Sequence, residues 1–289
     1  MRAAAQAVEA ELGLIVPERA HDGLGRLHAA MRYALLGGGK RLRPFLVIES
    51  ARLFDAPGAG ALRVAAAIEM VHCYSLVHDD LPAMDDDDFR RGRPTAHIAF
   101  DQATAILAGD GLLTLAFEVL ADPATDADAA CRCLLVQRLA QAAGMAGMVG
   151  GQMIDLGAGR RSLGIGEIRE LQALKTGALI GFACEAGALL GRASAAERQA
   201  LLDYASDLGL AFQIADDLLD VEGDAKLVGK GVGKDAAAGK ATFVGVLGVE
   251  GARREARRLG QSAAERLAPF GGRADRLAAV AAFVVERKH

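Results

Sequence analysis

The sequence predicts an all-α fold, with one helical domain over residues 1–289. Hydrophobic residues make up 52% of the chain, but aromatic residues make up only 4% and tryptophan is absent. A chain rich in Ala and Leu favours helices, because aromatic and β-branched residues are the ones enriched in strands. No alternating apolar and polar run is long enough for a sheet, and no linker or repeat divides the chain. A chain of 289 residues can bury a large core without disulfides or metals.

The helical pattern is interrupted at Pro17, at the loop around Pro57 and Gly58, and at Asp122-Pro123, as turn residues predict. Residues 128–156 have the pattern of one long helix, and a loop rich in Gly and Lys follows at 223–241. The expected helices lie within 1–36 and at 45–54, 61–81, 100–120, 128–156, 167–191 and 195–221, with two more near the C-terminus.

Composition excludes several classes of protein. The net charge of -4 argues against general nucleic-acid binding, which needs an excess of basic surface. Glu9 and Glu11 interrupt any apolar segment of a signal peptide, and no uninterrupted apolar run approaches the ~20 residues that span a bilayer. The four cysteines lack zinc-ligand spacing and are expected to be reduced thiols. The sequence therefore predicts a cytoplasmic protein without a membrane span.

A first acidic cluster, residues 78–88, follows an apolar helix and includes Asp79, Asp80 and Asp85. Carboxylates this close together repel one another, and at the end of an apolar helix they need a cation. Mg²⁺ fits, because it prefers oxygen ligands and completes its coordination with water and substrate phosphate. Pro82 disfavours helical geometry at Leu81, so we expect residues 82–83 to loop out and return Asp85 to Asp79.

A second acidic cluster, formed by Asp216, Asp217 and Asp220, also follows an apolar helical stretch. Asp216 and Asp220 are four residues apart and share one helical face, with Asp217 close to it. Either cluster alone could be a solvated surface. The presence of two such clusters predicts that one polyphosphate is held between the clusters by several metal ions. These ions would neutralise the polyphosphate as it departs.

These motifs resemble the trans-prenyl diphosphate synthase family, in particular its bacterial members that make farnesyl diphosphate. The first cluster has the two-residue insertion of the bacterial members. The resemblance covers residues from about 30 to 245 and includes Gly38 to Pro44, Arg90 to Thr95, Gly151-Gln152, Lys175-Thr176-Gly177, Gln213 to Asp220 and Gly239-Lys240. The chain departs from the family pattern at Phe243, where relatives usually have Tyr, and at Val244-Gly245, where Pro-Ala is common.

The resemblance implies a helical bundle of the isoprenoid synthase type with a central active-site cavity. It also implies Mg²⁺, three ions per active site, bound by both aspartate clusters. The residues that it implies for the diphosphate of isopentenyl diphosphate are Lys40, Arg43, His72 and Arg91. Those implied for the allylic diphosphate are Arg90, Lys175, Lys230 and Lys240. Oxygens of Thr176 and Gln213 would lie near the developing allylic cation, and Gln213 lies about one helical turn before Asp217.

The reaction that the resemblance implies is ionisation of dimethylallyl or geranyl diphosphate, attack by the double bond of isopentenyl diphosphate, and loss of a proton. Catalysis would be mainly electrostatic, with no covalent intermediate. The loop at 223–241 is expected to act as a lid. Tyr74, five residues before Asp79, lies roughly 7–8 Å further down the helix and would form the floor that stops growth at fifteen carbons, beside the small Ser75.

Alternatives remain open at this point. Geranylgeranyl or geranyl diphosphate synthesis differs mainly at the floor residue. A class I terpene cyclase would lack the second basic site and have a different second metal motif, and an inactive regulatory subunit would have lost aspartates. Relatives are homodimers, and the helices rich in small residues at 100–120 and 140–156 could pack closely against a partner.

Overall fold

The computed structural model describes residues 1–19, 23–158, 163–222 and 242–286. The predicted lid and the lysines Lys230 and Lys240 lie outside these residues. The chain forms two compact units: residues 1–48 with 57–136, and residues 49–56 with 137–289. The single domain predicted from the sequence stays a prediction, and each unit is described by itself below.

Helices dominate the described residues, which confirms the all-α prediction. The helices of the first unit are α1 (Arg2–Ile15), α2 (Gly25–Leu35), α4 (Gly58–Asp79), α5 (Ala96–Ala99) and α6 (Gln102–Ala121). The chain passes from one unit to the other within α3 (Leu42–Arg52) and α7 (Ala129–Ala143). Helix α4 packs against α1, α2 and α6 and is buried along most of its length. It ends at Asp79, so the first aspartate cluster starts where the buried helix stops.

One short hairpin departs from the helical pattern. Strands β1 (Phe89–Arg90) and β2 (Arg93–Pro94) pair antiparallel, with Arg90 opposite Arg93. The two turn residues, Arg91 and Gly92, have φ of 53° and 73°. Positive φ at both positions is typical of the type I′ turn that suits a two-residue hairpin. The sequence did not predict this hairpin, because two-residue strands leave no alternating pattern.

The second unit contains α8 (Met148–Ala158), α9 (Ile165–Gln172), α10 (Ala178–Leu190), α11 (Ala195–Glu222), α12 (Phe243–Arg266, kinked at Gly248) and α13 (Asp275–Glu286). A π-helical turn, Ala173–Gly177, joins α9 to α10, and a 3₁₀ segment, Ala268–Ala274, precedes α13. Helix α11 packs against α10, α12 and α13 and carries the second aspartate cluster in its last two turns.

The single long helix predicted over 128–156 is wrong, because α7 ends at Ala143 and α8 begins at Met148. The chain turns at Gly144 to Gly147. A Cβ at Gly147 would lie 2.1 Å from the carbonyl oxygen of Ala142. Only glycine therefore permits this turn, whereas the apolar pattern runs across it without a break.

Three helical segments are long and apolar enough to cross a membrane by length and composition alone: Gly58–Asp79, Gln102–Ala121 and Ile165–Leu190. None of them is an uninterrupted apolar run, because each contains occasional polar residues. The apolar windows of the first and third are 72% and 67% buried inside the protein, and that of α6 is 39% buried. The predicted absence of a membrane span stays a prediction.

Candidate active site

The loop after α4 folds back onto the helix end, as predicted. The backbone N–H of Asp85 donates to the carbonyl oxygen of Asp79 at 2.8 Å, and that of Asp87 donates to the carbonyl of Asp80 at 3.2 Å. Pro82 and Ala83 are exposed at the outside of this loop. The two-residue insertion therefore brings the backbones of Asp79 and Asp85 together.

The two aspartates at the end of α4 have different surroundings. Asp79 is half-buried, whereas Asp80 is buried and accepts hydrogen bonds from Nε and Nη2 of Arg90 at 2.6–3.0 Å. Burial raises the pKa of the Asp80 carboxyl, and Arg90 limits that rise. Strand β1 holds Arg90 at this position, so the hairpin and the aspartate loop are joined by a buried ion pair.

A glycine turn receives the guanidinium group of Arg91. Gly38 and Gly39 have φ of 82° and 132°, and Arg91 Nη1 donates to the carbonyl oxygen of Gly38. A Cβ at Gly39 would lie 2.7 Å from the Arg91 guanidinium carbon. Glycine is needed here for both reasons: the backbone conformation and the close approach of a cation.

Three of the residues predicted to bind the diphosphate of isopentenyl diphosphate, Arg43, His72 and Arg91, lie in one positive region. Loss of hydration, together with the nearby charges of Arg43 and Arg91, holds the pKa of His72 well below its usual range. Lys40 is exposed, whereas the next residue, Arg41, turns inward with φ of 49° and pairs with buried Glu69 at 2.6 Å. Neutral His72 among arginines is a suitable site for a dianionic group.

The predicted floor residue Tyr74 is buried in α4, and its ring packs edge-to-face on His78 with centroids 5.6 Å apart. Burial raises the pKa of its hydroxyl. Beside it, the hydroxyl of Ser75 donates to the carbonyl of His72 at 2.8 Å, which turns it back along the helix. Tyr74 is thus a bulky, buried side chain of α4, and its role as a floor for the product stays a prediction.

In the second unit, Lys175 and Thr176 lie in the π-helical turn. Such turns are rare and frequently occur at functional sites. Helix α8 packs directly against this turn at Gly151. A Cβ at this position would lie only 2.3 Å from the backbone nitrogen of Lys175, so the contact requires glycine. The sequence predicted neither the turn nor the reason for glycine at 151.

Two residues of α8 were missed as candidates. Asp155 accepts an ion-paired hydrogen bond from Lys175 Nζ at 2.5 Å. Both polar side-chain atoms of Gln152 are buried and have no hydrogen-bond partner within the part of the chain that is described. The spacing could have indicated Asp155, since it lies four residues after Gly151 and hence on the face that meets Lys175.

The second aspartate cluster again contains one buried member. Asp217 is 2% exposed, and its two oxygens accept hydrogen bonds from Gln213 Nε2 at 3.0 Å and from the backbone N–H of Phe243 at 2.8 Å. The carbonyl oxygen of the same Gln213 amide accepts a hydrogen bond from the Thr176 hydroxyl at 3.2 Å. Asp216 and Asp220 are half-buried.

No group of three or more His, Cys, Asp or Glu side chains in metal-binding geometry occurs among the described residues. Closed cages suit Zn²⁺ or Ca²⁺, whereas Mg²⁺ is usually bound by one or two carboxylates plus substrate phosphate. The incompletely buried carboxylates of Asp79, Asp85, Asp216 and Asp220 are hard oxygen donors of this kind. The donor set therefore fits Mg²⁺.

Known proteins resemble this chain over most of its length. Residues 25–268 match the family described as "Polyprenyl synthetase". A farnesyl diphosphate synthase from Geobacillus stearothermophilus is 46% identical over 86% of this chain and 83% of its own. A geranylgeranyl diphosphate synthase from Cyanophora paradoxa is 40% identical over 91% of this chain and 88% of its own. The crystal structure of an FPP/GFPP synthase from Zymomonas mobilis is 47% identical, with a TM-score of 0.89 over 98% of this chain and 96% of that one.

Proposed function

Since the chain belongs to the polyprenyl synthetase family and is a prenyltransferase, we propose that it makes farnesyl diphosphate from isopentenyl diphosphate and the allylic dimethylallyl and geranyl diphosphates. Curated relatives named farnesyl diphosphate synthase, 44–46% identical over most of the chain, support this function. The observation that carries it is the loop that folds Asp85 back onto Asp79 beside a positive region.

We propose that Asp79, Asp85, Asp216 and Asp220 hold Mg²⁺. When bound, Mg²⁺ would neutralise the diphosphate leaving group of the allylic substrate. The number of three ions, and the action of both clusters on one diphosphate, stay predictions. Asp80 and Asp217 are less suited to this role, because their oxygens already accept hydrogen bonds within the protein.

Isopentenyl diphosphate would be held by Lys40, Arg43, His72 and Arg91. Arg91 is fixed by the glycine turn before substrate arrives, so little ordering of this side chain is needed on binding. Lys175 would exchange Asp155 for the allylic diphosphate, since one ammonium group can donate to both kinds of anion. Neutral His72 can donate one hydrogen bond and would gain a proton more readily beside a diphosphate.

Condensation should depend on Mg²⁺. The protein is incubated with isopentenyl and dimethylallyl diphosphates, with Mg²⁺ or with a chelator, and the products are separated by chromatography. We expect a fifteen-carbon diphosphate with Mg²⁺ and none with the chelator. A cyclised hydrocarbon would instead indicate a terpene cyclase, and no condensation would contradict the proposed function.

Product length should depend on Tyr74. Replacing it with alanine removes a buried ring and opens space along α4, so Tyr74→Ala should make products longer than fifteen carbons. Tyr204→Phe, which changes another buried tyrosine in α11, serves as the control and should leave the products unchanged. An unchanged product profile in Tyr74→Ala would contradict the floor, and twenty carbons from the wild type would favour geranylgeranyl diphosphate synthesis.

We further propose that the protein is a cytoplasmic homodimer. On α6, Ile106 and Leu107 are 44% and 58% exposed, and on α8 Met153 is 70% exposed. Large apolar side chains on helices rich in small residues are typical of surfaces that pack against a partner. Analytical ultracentrifugation should give the mass of two chains; a monomer at micromolar concentration would contradict this assignment.

A further inference from the structure

We infer that Asp217 is a positioning residue that fixes the direction of the hydrogen bonds between Gln213 and Thr176. This inference rests on the proposed function, in which the Thr176 oxygen lies near a developing cation. The three side chains and the backbone N–H of Phe243 form one hydrogen-bonded chain within the second unit.

The carboxylate determines the orientation of the glutamine amide. An ionised carboxylate only accepts hydrogen bonds, so the Gln213 atom that faces Asp217 must be the NH₂ group. The Gln213 carbonyl oxygen then faces Thr176 at 3.2 Å. An amide oxygen cannot donate, so the Thr176 hydroxyl must donate its proton to Gln213. Its lone pairs remain for any other partner.

This direction has a chemical consequence. A hydroxyl whose proton is held by Gln213 presents the negative end of its dipole to a cation and cannot turn its proton toward it. Preorganised dipoles stabilise developing charge without reorganisation during the reaction. Asp217 would thus act on the reaction through Gln213 and Thr176, without touching the substrate.

The second oxygen of Asp217 fixes the carboxylate itself. It accepts from the N–H of Phe243, the first residue of α12, and Thr242 caps the same helix start by accepting from the N–H of Gly245 at 3.0 Å. Helix N-terminal N–H groups have no partner within the helix and favour a negative charge. With both oxygens used inside the protein, Asp217 is suited to orient its neighbours.

The decisive variant is Asp217→Asn. An asparagine at 217 can still accept from Phe243 with its oxygen, but its NH₂ group then faces Gln213. The Gln213 amide must turn over, and its NH₂ group would donate to Thr176, whose proton loses its acceptor. We expect single-turnover prenyl transfer to fall on the order of 10²-fold. The KM values and the Mg²⁺ requirement should change less than about threefold, because no ligand of the metal or of the diphosphate is removed.

The chain offers a matched control and a rescue. Gln199 donates to Asp203 at 2.8 Å with the same four-residue spacing on the same helix, but at an exposed position. Asp203→Asn should leave the rate unchanged. The double variant Q213E/D217N restores the original direction, since a carboxylate at 213 accepts from both the asparagine at 217 and Thr176. Its single-turnover rate should be at least about tenfold higher than that of Asp217→Asn. This recovery would not be expected if Asp217 acted only as a metal ligand or as a helix cap.

The result that supports the inference is a slow Asp217→Asn, an unaffected Asp203→Asn and a recovered double variant. A full rate in Asp217→Asn, a raised Mg²⁺ requirement, or no recovery would overturn it. NMR separates these outcomes from failure of the proposed function. Without any substrate, Asp217→Asn should shift the NMR signals of the Gln213 side-chain amide and of the Thr176 hydroxyl. In Q213E/D217N, the Thr176 hydroxyl signal should return to its wild-type position. If the wild type makes no prenyl product but these shifts appear, only the proposed function fails.

Discussion

The two aspartate doublets, Asp79-Asp80 and Asp216-Asp217, share one arrangement but differ in the groups that donate hydrogen bonds to the buried member. In each doublet the first aspartate is half-buried and the second is buried. Asp80 accepts from the guanidinium of Arg90. The donors to Asp217 include the side-chain amide of Gln213 and the backbone N–H of Phe243.

This difference indicates two ways of supporting a carboxylate that is proposed to bind a metal. An ion pair joins Asp80 to the β1–β2 hairpin and fixes the position of the Arg90 guanidinium. The carboxylate of Asp217 accepts from the Gln213 amide and so fixes the orientation of that amide. The same two-residue motif therefore anchors a hairpin in one unit and sets a hydrogen-bond direction in the other.

The largest expected effect comes from the first member of each doublet. Asp79→Asn and Asp216→Asn should each lower the rate of prenyl transfer at saturating substrate by on the order of 10³-fold, because a metal that neutralises the leaving group is lost. Steady-state product formation over a range of Mg²⁺ concentrations measures this, with Asp203→Asn as the control. Activity within threefold of the wild type would remove these residues from the metal site.

Stability should distinguish the two second members. Asp80→Ala removes the closest carboxylate from the largely buried Arg90 guanidinium, leaving Asp87 at 4.0 Å, and should cost about 3 kcal/mol of unfolding free energy. Asp217→Ala leaves the Gln213 amide and the backbone N–H of Phe243 without this acceptor and should cost about 1–2 kcal/mol. Urea unfolding of both variants measures the difference. Replacing both partners with apolar residues, D80L/R90M, should recover most of the stability but not the activity; equal losses in the two alanine variants would contradict the contrast.

Gly151→Ala should disturb the second unit alone. The added methyl group meets the backbone of Lys175, so the π-helical turn must move, at a cost of about 1–3 kcal/mol. Prenyl transfer should fall about tenfold as Thr176 leaves its position beside Gln213. Gly157→Ala, on the same helix and with no atom of the described residues within 4 Å of its Cβ position, should have little effect. Similar losses in both variants would mean that the contact at 151 does not position the turn.

The smallest expected effect concerns the positive region near the first doublet. The pKa of His72 is lowered in the folded protein, so the unfolded chain binds more protons as the pH falls below about 6.5. His72 therefore makes unfolding free energy rise with pH up to that value and not beyond it. Urea unfolding between pH 5 and 8 should show a smaller rise in His72→Gln than in the wild type. Identical slopes would mean that burial and the nearby arginines do not lower the pKa of His72 in the folded protein.

Much of the fold follows from sequence, because turn residues mark most helix ends. The looped return of Asp85 was predictable from Pro82, since proline cannot continue the helix. The break at Gly144 to Gly147 was not, because the apolar pattern runs through it and only the backbone geometry shows why glycine is needed. The two-residue hairpin left no pattern to detect.

The candidate site was predictable in its residue types more than in its contacts. Helical spacing correctly placed Gln213 one turn before Asp217, and the hydrogen bond between them confirms it. Spacing could not tell which member of each doublet is buried, because that depends on partners distant in sequence, Arg90 and Phe243. The pairing of Lys175 with Asp155 was missed, although the four-residue spacing of Asp155 from Gly151 could have indicated it.

The most direct test of the division between first and second aspartates compares Asp216→Asn with Asp217→Asn in one experiment. Single-turnover conversion of geranyl diphosphate and isopentenyl diphosphate is measured as Mg²⁺ is increased. Asp216→Asn should need a much higher Mg²⁺ concentration for half-maximal rate. Asp217→Asn should reach a lower maximal rate at the Mg²⁺ concentration that the wild type needs. Equal shifts of the Mg²⁺ requirement in both variants would contradict the account, since Asp217 would then act as a metal ligand.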